Sequence, residues 1–279
     1  MLYARLAGSL RDVCGRRGGE TVRRALRKMA EDNGRALREA YEQAGVKTNL
    51  QTLYAAGCDC FADPRMRRKL LSAEEQKRCW EVHTCPAADL WYNEGAAALG
   101  QIFCEENQRG LVRGFTGGKG QLNLTKKLTV RRTNGTRPDN HCCFSAYYRA
   151  ANVDDDQIAR SFGEGGKAPE NVPDCAETVR LRTVQTLYYL TNRAEEDFGT
   201  EGLCAISEGL RALVEPTERM LRHYAEMTLS PDLAAFAAEN LPLLLDGSDS
   251  VWNEYADGRA KELFLTVFAS PLQARLGLR

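Results

Sequence analysis

Residues 77–91 read KRCWEVHTCPAADLW, and this stretch decides the fold. Its first eight residues, KRCWEVHT, alternate with a period of two, as a half-buried β-strand does. Either Cys79 or Trp80 faces inward, depending on register. Pro86 ends the strand, because proline lacks the N–H a ladder needs and its fixed φ suits the first turn of a helix. Residues 87–98 then read as that helix, with Leu90, Trp91, Ala97 and Ala98 on its buried side and Gly95 as an imperfection.

Moving outward, residues 101–115 read as a second helix that stops before Gly117-Gly118. QLNLTKKLTV (121–130) puts Leu122, Leu124, Leu128 and Val130 on one strand face, interrupted by Lys126. A lysine among apolar neighbours is costly unless paired, so Lys126 sits at a strand edge or serves a function. HCCFSAYYR (141–149) is the partner strand, with Asn134-Gly135 in the turn region of an antiparallel hairpin. On the N-terminal side, residues 2–45 read as two amphipathic helices. The first carries Leu2, Leu6, Leu10 and Val13 and stops near Gly15–Gly19; the second stops at Gly45, with Asn33-Gly34 as a bend or break. Thr48-Asn49 caps a short helix. Residues 57–71 read as a loop with two incidental thiols, Cys58 and Cys60, and a solvated basic run at 65–69. The acidic, then glycine-rich stretch 154–174 reads as an exposed linker, and amphipathic helix resumes from 175 to the end.

The expected fold is therefore α+β and predominantly helical, with amphipathic helical regions flanking a small antiparallel sheet. The expected division is an N-terminal helical region (1–75), a central α+β segment (76–153), the linker (154–174) and a C-terminal helical region (175–279). A weak repeat links CGRRGGETVRRALRKM (14–29) with FGTEGLCAISEGLRAL (198–213), sharing Gly-x-x-Gly and matched Leu-Arg pairs. If the repeat is structural, it makes paired helical hairpins.

Composition sets the outer bounds. Apolar residues make up 43% and charged residues 27% of 279, and the formal net charge is zero. That balance gives no electrostatic reason to expect nucleic acid or an anionic membrane as partner. No apolar run is long enough to span a bilayer, and Arg5 and Arg11 interrupt any apolar leader. The expected location is the cytoplasm, with the ten cysteines mostly reduced. The expected partner is a small-molecule substrate, and the sequence does not decide between a monomer and a homo-oligomer.

Candidate chemistry gathers between residues 79 and 148, which hold five of the ten cysteines, two of the three histidines and two of the three tryptophans. Cys104 is expected near a helix start, where the helix dipole would lower a thiol pKa and Glu105 beside it would serve as base or metal ligand; adjacent carboxylates raise a thiol pKa, and on the residues alone a buried structural cysteine is the stronger reading. His83 and Cys85, two apart, share a face if both lie in a strand. His141 shares a face with Cys143, whereas Cys142 and Cys143 cannot both point into one pocket. No interval has a zinc-ligand spacing, so no metal is assigned, and the cofactor is unassigned.

The order of the pieces CPAADLW (85–91), GQIFCEENQRGLVRGF (100–115), LNLTKKL (122–128) and DNHCCF (139–144) resembles the L-2-amino-thiazoline-4-carboxylic acid hydrolase family over roughly residues 1–150. The chain departs from that pattern at Asn107 and Cys143, where relatives commonly carry acidic residues. The resemblance implies a hydrolase that opens a small cyclic amidine-like ring, giving a carbamoyl amino acid. It implies Cys104 as nucleophile or ligand, with His83 or His141 as acid–base partner and a proton donor for departing nitrogen. Lys126, Arg113 and Arg131 are the expected cations for the substrate carboxylate, with Asn107 and Trp91 as further binding residues. Two rival readings stand beside it. One is a non-catalytic small-molecule-binding module similar to four-vinyl-reductase-type domains; the other is a helical partner subunit of an enzyme.

Overall fold

The computed structural model describes residues 1–55, 63, 65–130, 139–167 and 175–278. Cys58, Cys60, Arg131 and the Asn134-Gly135 turn lie outside the described residues. The chain divides into two compact units, one formed by Leu26–Asp174 and the other by Met1–Ala25 with Cys175–Arg279.

The unit Leu26–Asp174 takes the second part of helix α1 (Leu2–Gln43), then α2 (Leu50–Ala55), β1 (Arg67–Ala73), β2 (Lys77–Thr84), α3 (Pro86–Asn93) and α4 (Ala97–Phe115). It ends with β3 (Gln121–Lys126), β4 (Cys142–Tyr147) and α5 (Asp155–Ser161). The four strands form one antiparallel sheet in the order β1-β2-β4-β3. The β2–β4 register sets Trp80 opposite Phe144 and Glu81 opposite Cys143. Trp80, Val82, Leu122, Leu124, Cys142, Phe144 and Ala146 are buried, so Trp80 faces inward and Cys79 lies on the other face. The Trp80 and Phe144 rings stack 5.0 Å apart with planes 3° from parallel. Burying each of these side chains contributes about 2–3 kcal/mol.

Local chemistry fixes the joints. Asn49 caps α2, its Oδ1 accepting from the N–H groups of Gln51 and Thr52, both at 3.0 Å. Pro86 opens α3 after Cys85 in extended conformation, as the strand-to-helix reading requires. Gly45 and Gly95, both at positive φ, follow the ends of α1 and α3.

Several features differ from the sequence reading. The helix read over 87–98 ends at Asn93, and Leu90 and Ala98, read as part of its buried side, are exposed. The basic run at 65–69 enters an edge strand, β1, exposed along nearly its whole length, so no alternation marks it. Within the stretch read as a linker, α5 is a capped helix tied to the core: the Gln157 amide donates to the Tyr148 hydroxyl at 2.7 Å, and Ser161 hydrogen-bonds that hydroxyl at 2.9 Å. Gly34 does not break α1; a Cβ there would lie 2.4 Å from the Leu111 carbonyl oxygen, so the glycine lets α1 and α4 approach closely. Helix α4 begins at Ala97 and not at 101, which places Cys104 two turns inside it. A register shift between Leu124 and Lys126 turns Lys126 to solvent, so it breaks no apolar face.

The second unit contains α1 up to Ala25, α6 (Cys175–Phe198), α7 (Thr200–Met227), α8 (Leu233–Asn240), α9 (Ala260–Leu263), a π-helical turn (Phe264–Ala269) and α10 (Ser270–Leu276). Here the Gly-x-x-Gly repeat becomes geometry. Gly15 (φ 59°, ψ −142°) interrupts α1, and Gly199 (φ 58°, ψ −130°) joins α6 to α7 in the same conformation. A Cβ on Gly18 would lie 2.0 Å from the Leu10 carbonyl oxygen, and one on Gly202 2.1 Å from that of Ala194. Eight residues along a straight helix are about 12 Å apart, so both chains fold back sharply at these corners. Both are helical hairpins built on one Gly-x-x-Gly device. Asp197 secures the unit by accepting from Thr21, from Arg24 at 2.7 Å and from Arg193 at 2.9 Å. These partners outweigh its loss of hydration and hold its carboxyl below the usual range. Among the described residues, no helix is long and apolar enough to cross a membrane.

Candidate functional site

A cavity of about 80 Å3 lies between the inner face of the sheet and helices α3 and α4. Trp80 and Phe144 form its sheet wall, and Trp91 and Phe103 its helix wall, their rings 5.4 Å apart. Trp91 lies flat over Gly100, where any Cβ would come within 2.2 Å of the indole, so the glycine makes room for this wall.

Three thiols line the cavity: Cys85 at the start of α3, Cys104 in α4 and Cys142 in β4. All seven cysteines whose side chains are described are free. Burial pushes the Cys104 thiol well above its ordinary pKa, and the neighbouring Cys85, Cys142 and Glu105 push the same way. Burial also raises Cys85, against the opposing pull of the Ala88 and Ala87 amides and of Arg68. Cys142 Sγ accepts from the Leu128 N–H at 3.3 Å. The expectation of a dipole-activated thiolate at Cys104 is thus corrected: the residue sits mid-helix and is held as S–H.

Polar groups on the wall are few. Asn107, Gln108 and Thr129 line the cavity, and the exposed Arg68 is the cation among its lining residues. Among the described residues, no Asp, Glu or His lines it.

The histidines are elsewhere. His83 lies on the outer face of the sheet, its Nε2 2.9 Å from Glu81 Oε2; His141 Nε2 is 3.5 Å from the other oxygen of the same carboxylate. The two imidazoles stack with centroids 5.2 Å apart, and His141 Nδ1 meets Asn140 Oδ1 at 2.5 Å. Glu81 loses hydration, but the His83 hydrogen bond and the charges of His141 and Lys69 leave its carboxyl below the usual range. This carboxylate can exchange protons with either ring. His83 and Cys85 do not share a face, because the strand ends between them and Cys85 turns into the cavity.

Of the residues expected to act together, the cavity unites Cys104, Trp91 and Asn107 and leaves out His83 and His141. Glu105 is buried beside Cys104 in sequence, but its carboxylate is engaged by Lys127 Nζ at 2.6 Å and by the Gln101 amide at 2.9 Å. Arg113 pairs with Glu31 at 3.2 Å and does not line the cavity, and neither does Lys126. The cation that does is Arg68. It lay in the run read as a solvated face, and nothing local distinguishes it from Arg65, Arg67 or Lys69. Among the described residues, no three His, Cys, Asp or Glu side chains are placed to hold a metal ion.

A sheet with two helices on its inner face and an aromatic, thiol-lined cavity between them defines the α+β architecture of this unit. The chain belongs to the L-2-amino-thiazoline-4-carboxylic acid hydrolase family, whose pattern matches residues 1–147. The matched stretch ends at the last residue of β4, so it contains the whole sheet and every residue that lines the cavity. No curated protein and no solved structure matches the chain.

Proposed function

We propose that this chain hydrolyses a small cyclic isothiourea of the 2-amino-thiazoline-4-carboxylate type, opening it to an N-carbamoyl amino acid. The observation that carries the reading is the cavity: flat aromatic walls with three thiols, Asn107 inside and Arg68 at the mouth. At about 80 Å3 it accepts the edge of a five-membered ring and leaves the rest of the ligand toward solvent. Arg68 is the nearest partner for the substrate carboxylate, and the Asn107 amide can pair with the amidine edge.

Atom balance locates the bond that breaks. Water adds its oxygen to the ring carbon that bears two nitrogens and sulfur. As the oxygen adds, the C=N nitrogen takes up one of water's protons; the C–S bond then cleaves, both C–N bonds remain as a urea, and the second proton leaves with sulfur as a thiol. The departing atom is therefore sulfur, and the donor to nitrogen is needed at the addition step and not for a leaving group. Cys104, held protonated, faces this chemistry as an S–H group and not as a ready nucleophile.

A second reading, non-catalytic capture of such a ligand, is favoured by one observation. Among the described residues, no carboxylate or imidazole lines the cavity to take up a proton. One experiment separates the two. Purified protein at catalytic concentration is incubated with L-2-amino-thiazoline-4-carboxylate, and product thiol is followed by Ellman's reagent and chromatography. Hydrolysis is expected, weakened in Arg68→Ala and retained in the double variant His83→Gln/His141→Gln. Saturable binding without turnover would replace hydrolysis by capture, and neither binding nor turnover would end both readings.

A further inference from the structure

The helical unit contains a second cavity, larger than the first, at about 290 Å3. Leu187 of α6, Leu210 and Leu213 of α7, and Phe264 and Phe268 of the π-helical turn form its walls, and Met220 stands at its rim, 45% exposed. Among the described residues no Asp, Glu, Lys, Arg or His side chain lines it; Met1 is also part of the wall. Of its two threonines, Thr183 already donates its hydroxyl proton to the Val179 carbonyl at 2.7 Å, so toward the cavity it offers only an acceptor.

Two departures from regular helix border this space. Pro216 lies within α7 between the lining residues Leu213 and Thr217 and removes one backbone donor there. Phe264–Ala269 forms a π-helical turn, and both of its phenylalanines line the cavity. Such single turns are rare and concentrate at functional sites. An apolar cavity of this size forfeits packing contacts on every wall, and apolar cavities exclude water and accept hydrocarbon instead.

We propose that this cavity is a binding site for a neutral, mainly hydrocarbon molecule, with at most one hydroxyl group, which would donate to Thr183. A cavity of about 150 Å3 accepts benzene, so this one has room for about 12 non-hydrogen atoms. No charged side chain among the described lining residues would meet an ionised head group, which disfavours carboxylates of the same size. The inference rests on the helical unit alone and stands whether or not the first cavity hydrolyses anything.

The test is calorimetric titration of the whole chain with decan-1-ol and with nonanoate, each of about 11 non-hydrogen atoms. Decan-1-ol is expected to bind one site with a dissociation constant of about 100 µM or below, and nonanoate at least tenfold more weakly. Met220→Trp, which narrows the rim at an exposed position, and Leu213→Phe, which fills the interior, are each expected to weaken decan-1-ol at least tenfold. Should Leu213→Phe fail to fold, Met220→Trp decides. No saturation by decan-1-ol up to its solubility limit would overturn the proposal. So would equal affinity for nonanoate, or undiminished binding in a folded Met220→Trp protein.

Discussion

Gly18 and Gly19 are neighbours in one helix, yet alanine should act on them in opposite directions. A Cβ at Gly18 would sit 2.0 Å from the Leu10 carbonyl oxygen, about 1.4 Å inside an ordinary carbon–oxygen contact, while a Cβ at Gly19 meets nothing within 4 Å. The obstructing atom is main chain, so no rotamer change relieves it; the corner at Gly15 must open. Overpacking of this kind costs about 1–3 kcal/mol, and an obstructing carbonyl places it at the upper end. Alanine also gains up to about 1 kcal/mol over glycine inside a helix. The net expectation for Gly18→Ala is a loss of about 2 kcal/mol, or roughly 4–8 °C in Tm. Gly19→Ala keeps only the favourable term and should gain about 0.5–1 kcal/mol. Urea titrations followed by far-ultraviolet circular dichroism give both values. Gly202→Ala, facing Ala194 across the equivalent corner, should repeat the Gly18 result. If Gly18→Ala is as stable as Gly19→Ala, the reasoning about the corner is wrong.

The Cys104 thiol is raised in the folded state above the unfolded value near 9. The folded chain therefore keeps its proton where the unfolded chain has lost it, and the associated stability is full below pH 9 and falls as pH rises past it. In Cys104→Ala this alkaline loss should be smaller; an unchanged pH profile would contradict the assignment. Iodoacetamide at pH 8 should modify the exposed Cys204 well before Cys104, as mass spectrometry of timed aliquots would reveal; early labelling of Cys104 would mean an open, ionised thiol. Asp197 is depressed, so its contribution is present above the unfolded value of 3.8 and disappears as pH falls through the folded one. Asp197→Ala should cost about 2–3 kcal/mol at neutral pH by denaturant titration and much less in acid; an equal cost at both pH values would refute that. Arg68→Ala should raise KM by about tenfold or more with kcat nearly constant, and a fall in kcat alone would move Arg68 from binding to chemistry.

Most of the sheet was readable because burial leaves a trace in the order of residues. β2 and β4 each have one face against the core, and their alternation in KRCWEVHT and CCFSAY records it. β1 was not readable, because a strand exposed on both faces has nothing to alternate. The Lys126 puzzle dissolves in one extra residue at Thr125, a local insertion that period-two counting cannot see. Gly34 was misread for a related reason: glycine as helix breaker and glycine as helix contact look alike until the opposing backbone, here Leu111, is known. The thiols of the first cavity could be nominated but not grouped. Cys85, Cys104 and Cys142 come from a helix cap, a helix interior and a strand, and no spacing rule joins them. Burial then favours the structural reading of Cys104 over the activated one. Arg68 earned its place through tertiary position alone. The Gly-x-x-Gly repeat, by contrast, held more than helical periodicity, since both copies make the same corner.

The sheet order has a consequence for when the first cavity comes into being during folding. The β1–β2 and β3–β4 pairs join neighbours in sequence and are expected to close first, whereas β2–β4 pairs Lys77 with Tyr147 across the longer loop that holds α3 and α4. Trp80 and Val82 come from one side of that late seam, Cys142 and Phe144 from the other. The half-assembled protein therefore has no pocket, and a ligand that fills it can only hold the seam shut after the fact. Such a ligand would lengthen the lifetime of the native state while leaving the rate of its formation unchanged.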